Sequence, residues 1–199
     1  ADPIDGIYVD VPGCDDHGSR FAAEEIGRRP VFGLDDAVDT MTTIPIDDVA
    51  ACAATNDPGI DNVVVLMTNL TGRALDNLWY VGDVGTSFTN ADGVAEGAGS
   101  PGQPGLAFRI DDVGVNRPLL LETMTSDGIF EPGETWSFIV QDYQSPLGLP
   151  ADSFLSIGLA GDSSAIVQSS SASIVRMVPT PGSASLIALG GLAAARRRR

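Results

Sequence analysis

Thr135-Trp136-Ser137-Phe138-Ile139-Val140-Gln141-Asp142-Tyr143 is the stretch that decides the fold. Trp136, Phe138 and Val140 alternate with Thr135, Ser137 and Gln141, and only Ile139 breaks the pattern. A period of two puts one set of side chains in a core and the other in water, the signature of a half-buried strand. Two turn signals, Ser126-Asp127-Gly128 and Glu131-Pro132-Gly133-Glu134, lead into it. Working outward, Asn62–Met67, Leu78–Val81 (with Trp79 and Tyr80), Leu106–Ile110 and Pro118–Met124 precede it as short apolar runs. Phe154–Leu159, Ala165–Gln168 and Ala172–Met177 follow it. Gly-, Asp-, Asn- and Pro-rich turns separate these runs, and the Gly-rich segment Asp92–Gly105 reads as a mobile surface loop. About seven to nine short strands without a long helix between them predict an all-β fold, an antiparallel β-sandwich of immunoglobulin-like or jelly-roll type.

Composition divides the chain into three zones. Residues 1–57 are acidic and read as an irregular N-terminal segment with short helices. One helix is expected near Ser19–Ile26, where Ser19 can cap and Glu24 and Glu25 sit in the first turns, and a second over Asp47–Ala53. The turn Asn56-Asp57-Pro58-Gly59 then opens the sandwich zone, 58–178, and 179–199 form a C-terminal tail with a short hydrophobic helix. The 199 residues carry 27 acids against 11 bases, all Arg, for a net charge of −16. Four of the Arg are Arg196–Arg199, so the seven others against 27 acids leave the body at −20. Such a body repels phosphate backbones, which argues against nucleic-acid partners. Ala1-Asp2-Pro3 is the kind of start a signal peptidase leaves, so a removed secretory signal is expected. In an oxidising compartment Cys14 and Cys52 are candidates for one disulfide; the alternative is two free thiols.

The tail has its own physics. Pro179-Thr180-Pro181-Gly182 breaks the last strand, Ser183–Ala195 are thirteen residues without a charge, and Arg196-Arg197-Arg198-Arg199 close the segment. As a helix those thirteen residues span about 20 Å, short of a hydrocarbon core of roughly 30 Å. Snorkelling Arg side chains and local thinning of the bilayer can accommodate the difference. The Arg cluster would hold its end on the cytoplasmic side and leave the body outside. The order Pro-x-Pro, apolar segment, Arg cluster resembles the PEP-CTERM sorting signal, in a planctomycete-like form with Thr180 where the family usually has Glu. The resemblance covers Pro179–Arg199. It implies recognition by an exosortase-type membrane transpeptidase, transient association with the inner membrane through the tail, and delivery to the cell surface or an extracellular, biofilm-type matrix. Asn69–Gly72, Val113–Pro118 and Phe130–Trp136 are similar to the β-rich bodies of such proteins, a similarity that implies no activity.

Few residues offer catalytic chemistry. With a single histidine, His17, any site needing two is excluded. Gly161-Asp162-Ser163 is similar to an esterase nucleophile block, but that block needs a His downstream and His17 lies far upstream. Phosphate-binding and dinucleotide glycine motifs are missing from the sequence. Cys14-Asp15-Asp16-His17 has metal-ligand residue types without four ligands at tetrahedral spacing. Asp127, Glu131 and Glu134, with the turns at Gly128 and Gly133, are the candidate calcium ligands; Asp57 with Asp61, or Asp111 with Asp112, are further ones. The competing reading is that these acids only brace hairpin turns. Asn69-Leu70-Thr71 has the form of a glycosylation sequon and reads as a strand-end turn.

The expected function is a non-enzymatic, exported surface or matrix protein without a cofactor, associated with exopolysaccharide or other surface proteins. The alternative is a secreted carbohydrate-binding or carbohydrate-active protein. It would use exposed faces of Trp79, Tyr80, Trp136 or Tyr143 for stacking, or a carboxylate pair for hydrolysis.

Overall fold

A computed structural model describes residues 4–7, 20–28, 37–42, 50–83, 85–95, 105–111, 117–154 and 170–178. Ten strands and no helix occur among them: β1 (Ile4–Ile7), β2 (Arg20–Arg28), β3 (Ala37–Thr42), β4 (Val63–Asn69), β5 (Leu78–Gly82), β6 (Gly93–Ala95), β7 (Gly105–Arg109), β8 (Leu119–Glu122), β9 (Thr135–Val140) and β10 (Ala172–Val178). The expected C-terminal helix, the sorting residues Pro179–Arg199 and Cys14 lie outside the described residues. So do 155–169, which contain most of the Phe154–Leu159 run and all of Ala165–Gln168.

The strands are hydrogen-bonded in the order β6-β7-β5-β10-β2-β3-β4-β9-β8, with β1 also on β2. All these pairings are antiparallel except β2 with β3, where Gly27 and Arg28 run parallel to Ala37 and Val38. β2 serves both halves of the order. Its Ala22–Ile26 stretch pairs with β10 and its last two residues with β3. Laid flat, β5 and β9 would stand five strand spacings apart, about 24 Å. Their rings meet instead: Tyr80 and Phe138 have centroids 6.1 Å apart, and Phe108 of β7 lies 6.2 Å from Phe138. The two halves therefore face each other across one core.

That core is what the alternation in β9 predicts. Trp136, Phe138 and Val140 are buried with Val65 and Met67 of β4, Leu78 and Tyr80 of β5, Phe108 of β7 and Ile174 of β10. The register sets Val65 beside Phe138 and Met67 beside Trp136, so matching faces meet. Ile139 has its own explanation. It lies on the opposite face, in a second small cluster with Val64 and Ala51, where the chain preceding β4 covers the sheet. Tyr80 stacks on Phe108 at 5.1 Å, and its hydroxyl donates to the carbonyl of Ala151 at 2.9 Å. Burial is the first cause pushing the Tyr80 pKa well above its ordinary value.

Three expectations are corrected. The helix near Ser19–Ile26 is strand β2, and the register places Glu24 opposite Arg176 and Glu25 opposite Val175. The stretch is too short for an autonomous helix, and pairing on both sides outweighs the helix preference of Ala and Glu. Residues 50–53 of the second expected helix are irregular or turn; the preceding 47–49 lie outside the described residues. The N-terminal zone thus contributes strands to both halves of the sheet. Finally, the Gly-rich segment Asp92–Gly105 begins and ends in structure, since Gly93–Ala95 form β6 on β7 and Asp92 is buried. Residues 96–104 lie outside the described residues.

Candidate functional site

Among the described residues β8 is the last strand in the order and pairs with β9. A register shift between Leu119 and Leu121 makes a bulge at Leu120, a device that turns side chains out of the regular alternation. Leu119 packs toward the core, while Leu120 and Leu121 are 43% and 57% exposed on consecutive positions. The chain then returns to β9 through residues 123–134. Phe130 is the anchor of that return: it exchanges backbone hydrogen bonds with Leu75 (3.0 and 2.8 Å) and its ring lies 4.6 Å from that of Trp136. With Phe130 fixed inside, Met124 and Ile129 on either side of the turn are left exposed. A groove of about 220 Å³ lies between the edge strand and the turn, lined by Arg117, Leu119–Glu122 and Ser126–Gly128.

The loop is braced by its own acids. One oxygen of Glu122, Oε2, accepts from the amides of Asp127 (3.2 Å) and Gly128 (3.0 Å). Asp127 Oδ1 accepts from the Ile129 amide at 3.0 Å. Glu134 is fully buried, and its two oxygens accept from the amides of Met124 (3.1 Å) and Glu131 (2.9 Å). Gly128 and Gly133 take φ of 72° and 82°, the left-handed conformation these turns need. Of the candidate calcium ligands, then, Asp127 and Glu134 hold backbone amides and Glu131 supplies one of those amides. Among the described residues no three His, Cys, Asp or Glu side chains are grouped as a metal would require. The further candidates have similar partners. Asp57 Oδ1 accepts from Gly59 N at 2.9 Å, and Asp111 is paired with Arg109 Nε at 2.8 Å. Asp112 lies outside the described residues.

At the opposite end of β9 polar side chains are buried. Gln141 clamps the backbone of Cys52: its Oε1 accepts from Cys52 N at 2.8 Å and its Nε2 donates to Cys52 O at 2.9 Å. Asn90 bridges the main chain of Ile139 and Gln141, donating to one at 3.1 Å and accepting from the other at 3.0 Å. Asn62 Oδ1 accepts from Asp142 N at 2.8 Å, and Asp142, at φ 50°, accepts from Asp57 N at 2.9 Å and from the Thr89 hydroxyl. Sequence reading missed this cluster; its one signal was three polar or phenolic residues, Gln141-Asp142-Tyr143, closing an apolar strand. Cys52, held at its centre, is buried and disulfide-bonded.

The candidate sugar-stacking aromatics do not form a surface. Trp79, Tyr80 and Trp136 are fully buried, and Tyr143 is half-buried with its hydroxyl donating to Leu149 O at 2.7 Å. Burial is the first cause raising the Tyr143 pKa. Asn69 is buried too: its Nδ2 donates to Arg73 O and Phe130 O while Oδ1 accepts from Thr71, the strand-end turn expected of the sequon. No family model, curated protein or solved structure matches the chain.

Proposed function

We propose that this chain is a non-enzymatic protein of the cell surface or extracellular matrix. In this reading its body is a β-sandwich of immunoglobulin-like or jelly-roll type. An exosortase-type enzyme receives it through the PEP-CTERM-like tail Pro179–Arg199. The observation that carries the non-enzymatic part is the use made of the chemistry-bearing side chains. Among the described residues the Trp and Tyr rings are spent on the core, and Glu134, Asp127 and Glu122 are spent on backbone amides. The disulfide at Cys52 supports an oxidising, exported setting, and we place its other half at Cys14, the one remaining cysteine. Association with exopolysaccharide or other surface proteins then rests on surface contacts outside any aromatic platform.

The test has two arms. Peptide mapping of protein recovered from the producing cells should show a C-terminus near Pro179–Gly182; intact Arg196–Arg199 in the released protein would contradict processing. In the second arm the protein is screened on glycan arrays and for hydrolysis of exopolysaccharides. Turnover abolished by Glu122→Gln or Asp127→Asn, the two carboxylates lining the groove, would replace this reading with the carbohydrate-active one.

A further inference from the structure

The buried polar cluster at the Val140 end of β9 contains the parts of an acyl-transfer site. Gln141 Nε2 donates to the hydroxyl oxygen of Thr89, on the connection between β5 and β6, at 2.9 Å. That nitrogen is bonded directly to the carboxamide carbon, so a nucleophile stands beside an acyl group. The Thr89 hydroxyl in turn donates to Asp142 Oδ2, which places a carboxylate to take its proton. The carboxamide oxygen, Oε1, accepts from the Cys52 amide at 2.8 Å, a fixed donor where negative charge gathers on attack. Cys52 also sets the orientation of the carboxamide, since its N–H faces only an oxygen and its carbonyl only the NH2 group.

Two further observations separate this arrangement from a network that only fills polar space. Asp142 is 2% exposed, yet its second oxygen, Oδ1, is buried with no hydrogen-bond partner among the described residues. A buried carboxylate used on one oxygen is costly as a brace and suited to a base. The reactants are also held together by main chain. Thr89 N donates to Gln141 O at 3.0 Å, and Gln141 is fully buried, which keeps water from competing as the nucleophile.

We propose that the folded chain joins Thr89 to Gln141 through an intramolecular ester. Asp142 removes the Thr89 hydroxyl proton as Oγ1 attacks the Gln141 carboxamide carbon, and the charge driven onto Oε1 is held by the Cys52 amide. Collapse of this adduct breaks the Cδ–Nε2 bond, Asp142 returns the proton to Nε2, and ammonia leaves. No other reactant is consumed. The Cys52 carbonyl loses Nε2 and keeps the Thr55 amide at 3.3 Å. The ester ties the β5–β6 connection, in one half of the strand order, to the end of β9 in the other, a covalent staple across the shared core. The inference rests on the geometry around Gln141 and not on the tail or the surface assignment, so failure of one leaves the other standing.

Mass spectrometry on the full chain, folded at neutral pH and then reduced, tests it. The intact mass should fall below that of the sequence by one ammonia, about 17 Da. Proteolysis should yield a linked pair of peptides carrying Thr89 and Gln141, which mild alkali separates to leave Glu at position 141. Thr89→Ser retains the hydroxyl and should retain the loss, Thr89→Val should abolish it, and Asp142→Asn should slow it roughly a hundredfold. The unaltered chain decides the matter even where a variant fails to fold. A folded chain that keeps the full sequence mass overturns the proposal. So does an ammonia loss mapped to an asparagine, or one that survives Thr89→Val.

Discussion

The two ends of β9 are finished in opposite ways. At the Val140 end Gln141, Asn90, Asn62 and Asp142 are polar, buried and bonded to backbone from distant parts of the sequence. At the Thr135 end the loop is braced by nearby acids, and the neighbouring leucines of β8 face solvent. A buried polar group must be satisfied or it destabilises, so the first end fixes segments that local sequence does not bring together. The second end is tied to distant sequence through Phe130, Gly133 and Glu134, which bond Leu75 and Asn69. Its acids brace the loop locally and its apolar side chains face solvent. The difference separates an end sealed by buried polar side chains from one where apolar side chains stay exposed.

The largest effect expected from breaking this contrast is at Gln141. Gln141→Leu removes both side-chain bonds to the buried Cys52 amide and carbonyl and should lower unfolding free energy by about 3 kcal/mol in a denaturant melt. At the other end Glu134→Gln keeps the shape but loses one of two acceptor oxygens. It should cost about 1.5 kcal/mol, with faster exchange confined to residues 123–134. Millimolar calcium or a chelator should leave the melting temperature unchanged, because the Glu134 oxygens are already occupied by amides.

The alkaline limb comes next. The folded pKa values of Tyr80 and Tyr143 are raised above the ordinary 10.0, so the unfolded chain loses those protons first. Their contribution is complete below pH 10 and falls as pH rises beyond it, which a melting series from pH 8 to 11 would show. Tyr80→Phe should shallow that fall and, through the lost bond to Ala151, cost about 1 kcal/mol at neutral pH. The smallest effect sharpens the comparison. Leu121→Asp, at a side chain 57% exposed, should change stability by no more than about 0.5 kcal/mol in the same melt.

Strands with a one-sided or fully buried pattern were legible in the sequence. β4, β5, β7, β9 and β10 fall on the apolar runs within a residue or two, because burial imposes the alternation that was read. β2 was not, since Ala22-Ala23-Glu24-Glu25 carry helix preference and the strand is made by partners at residues 4–7 and 172–178. β6 was hidden in glycines, with only Val94 between Gly93 and Ala95 to announce it. In the candidate site the acids of the Asp127–Glu134 loop were found, but their use on amides is a matter of geometry that composition does not carry. The groove was invisible for a different reason: the bulge at Leu120 turns out leucines that a regular strand would alternate.

The pairing of β2 with β10 has a consequence for how the molecule forms. Ala22 is matched with Val178, so the central ladder joins segments separated by most of the sequence. Contacts of such long range must overcome a large loop-closure entropy before they stabilise anything, and folding is correspondingly slow. Until Ala172–Val178 are available, β2 has no partner on that side and the two halves of the sheet lack their junction. The chain is therefore slow to commit to its native sheet, and its two halves are joined last.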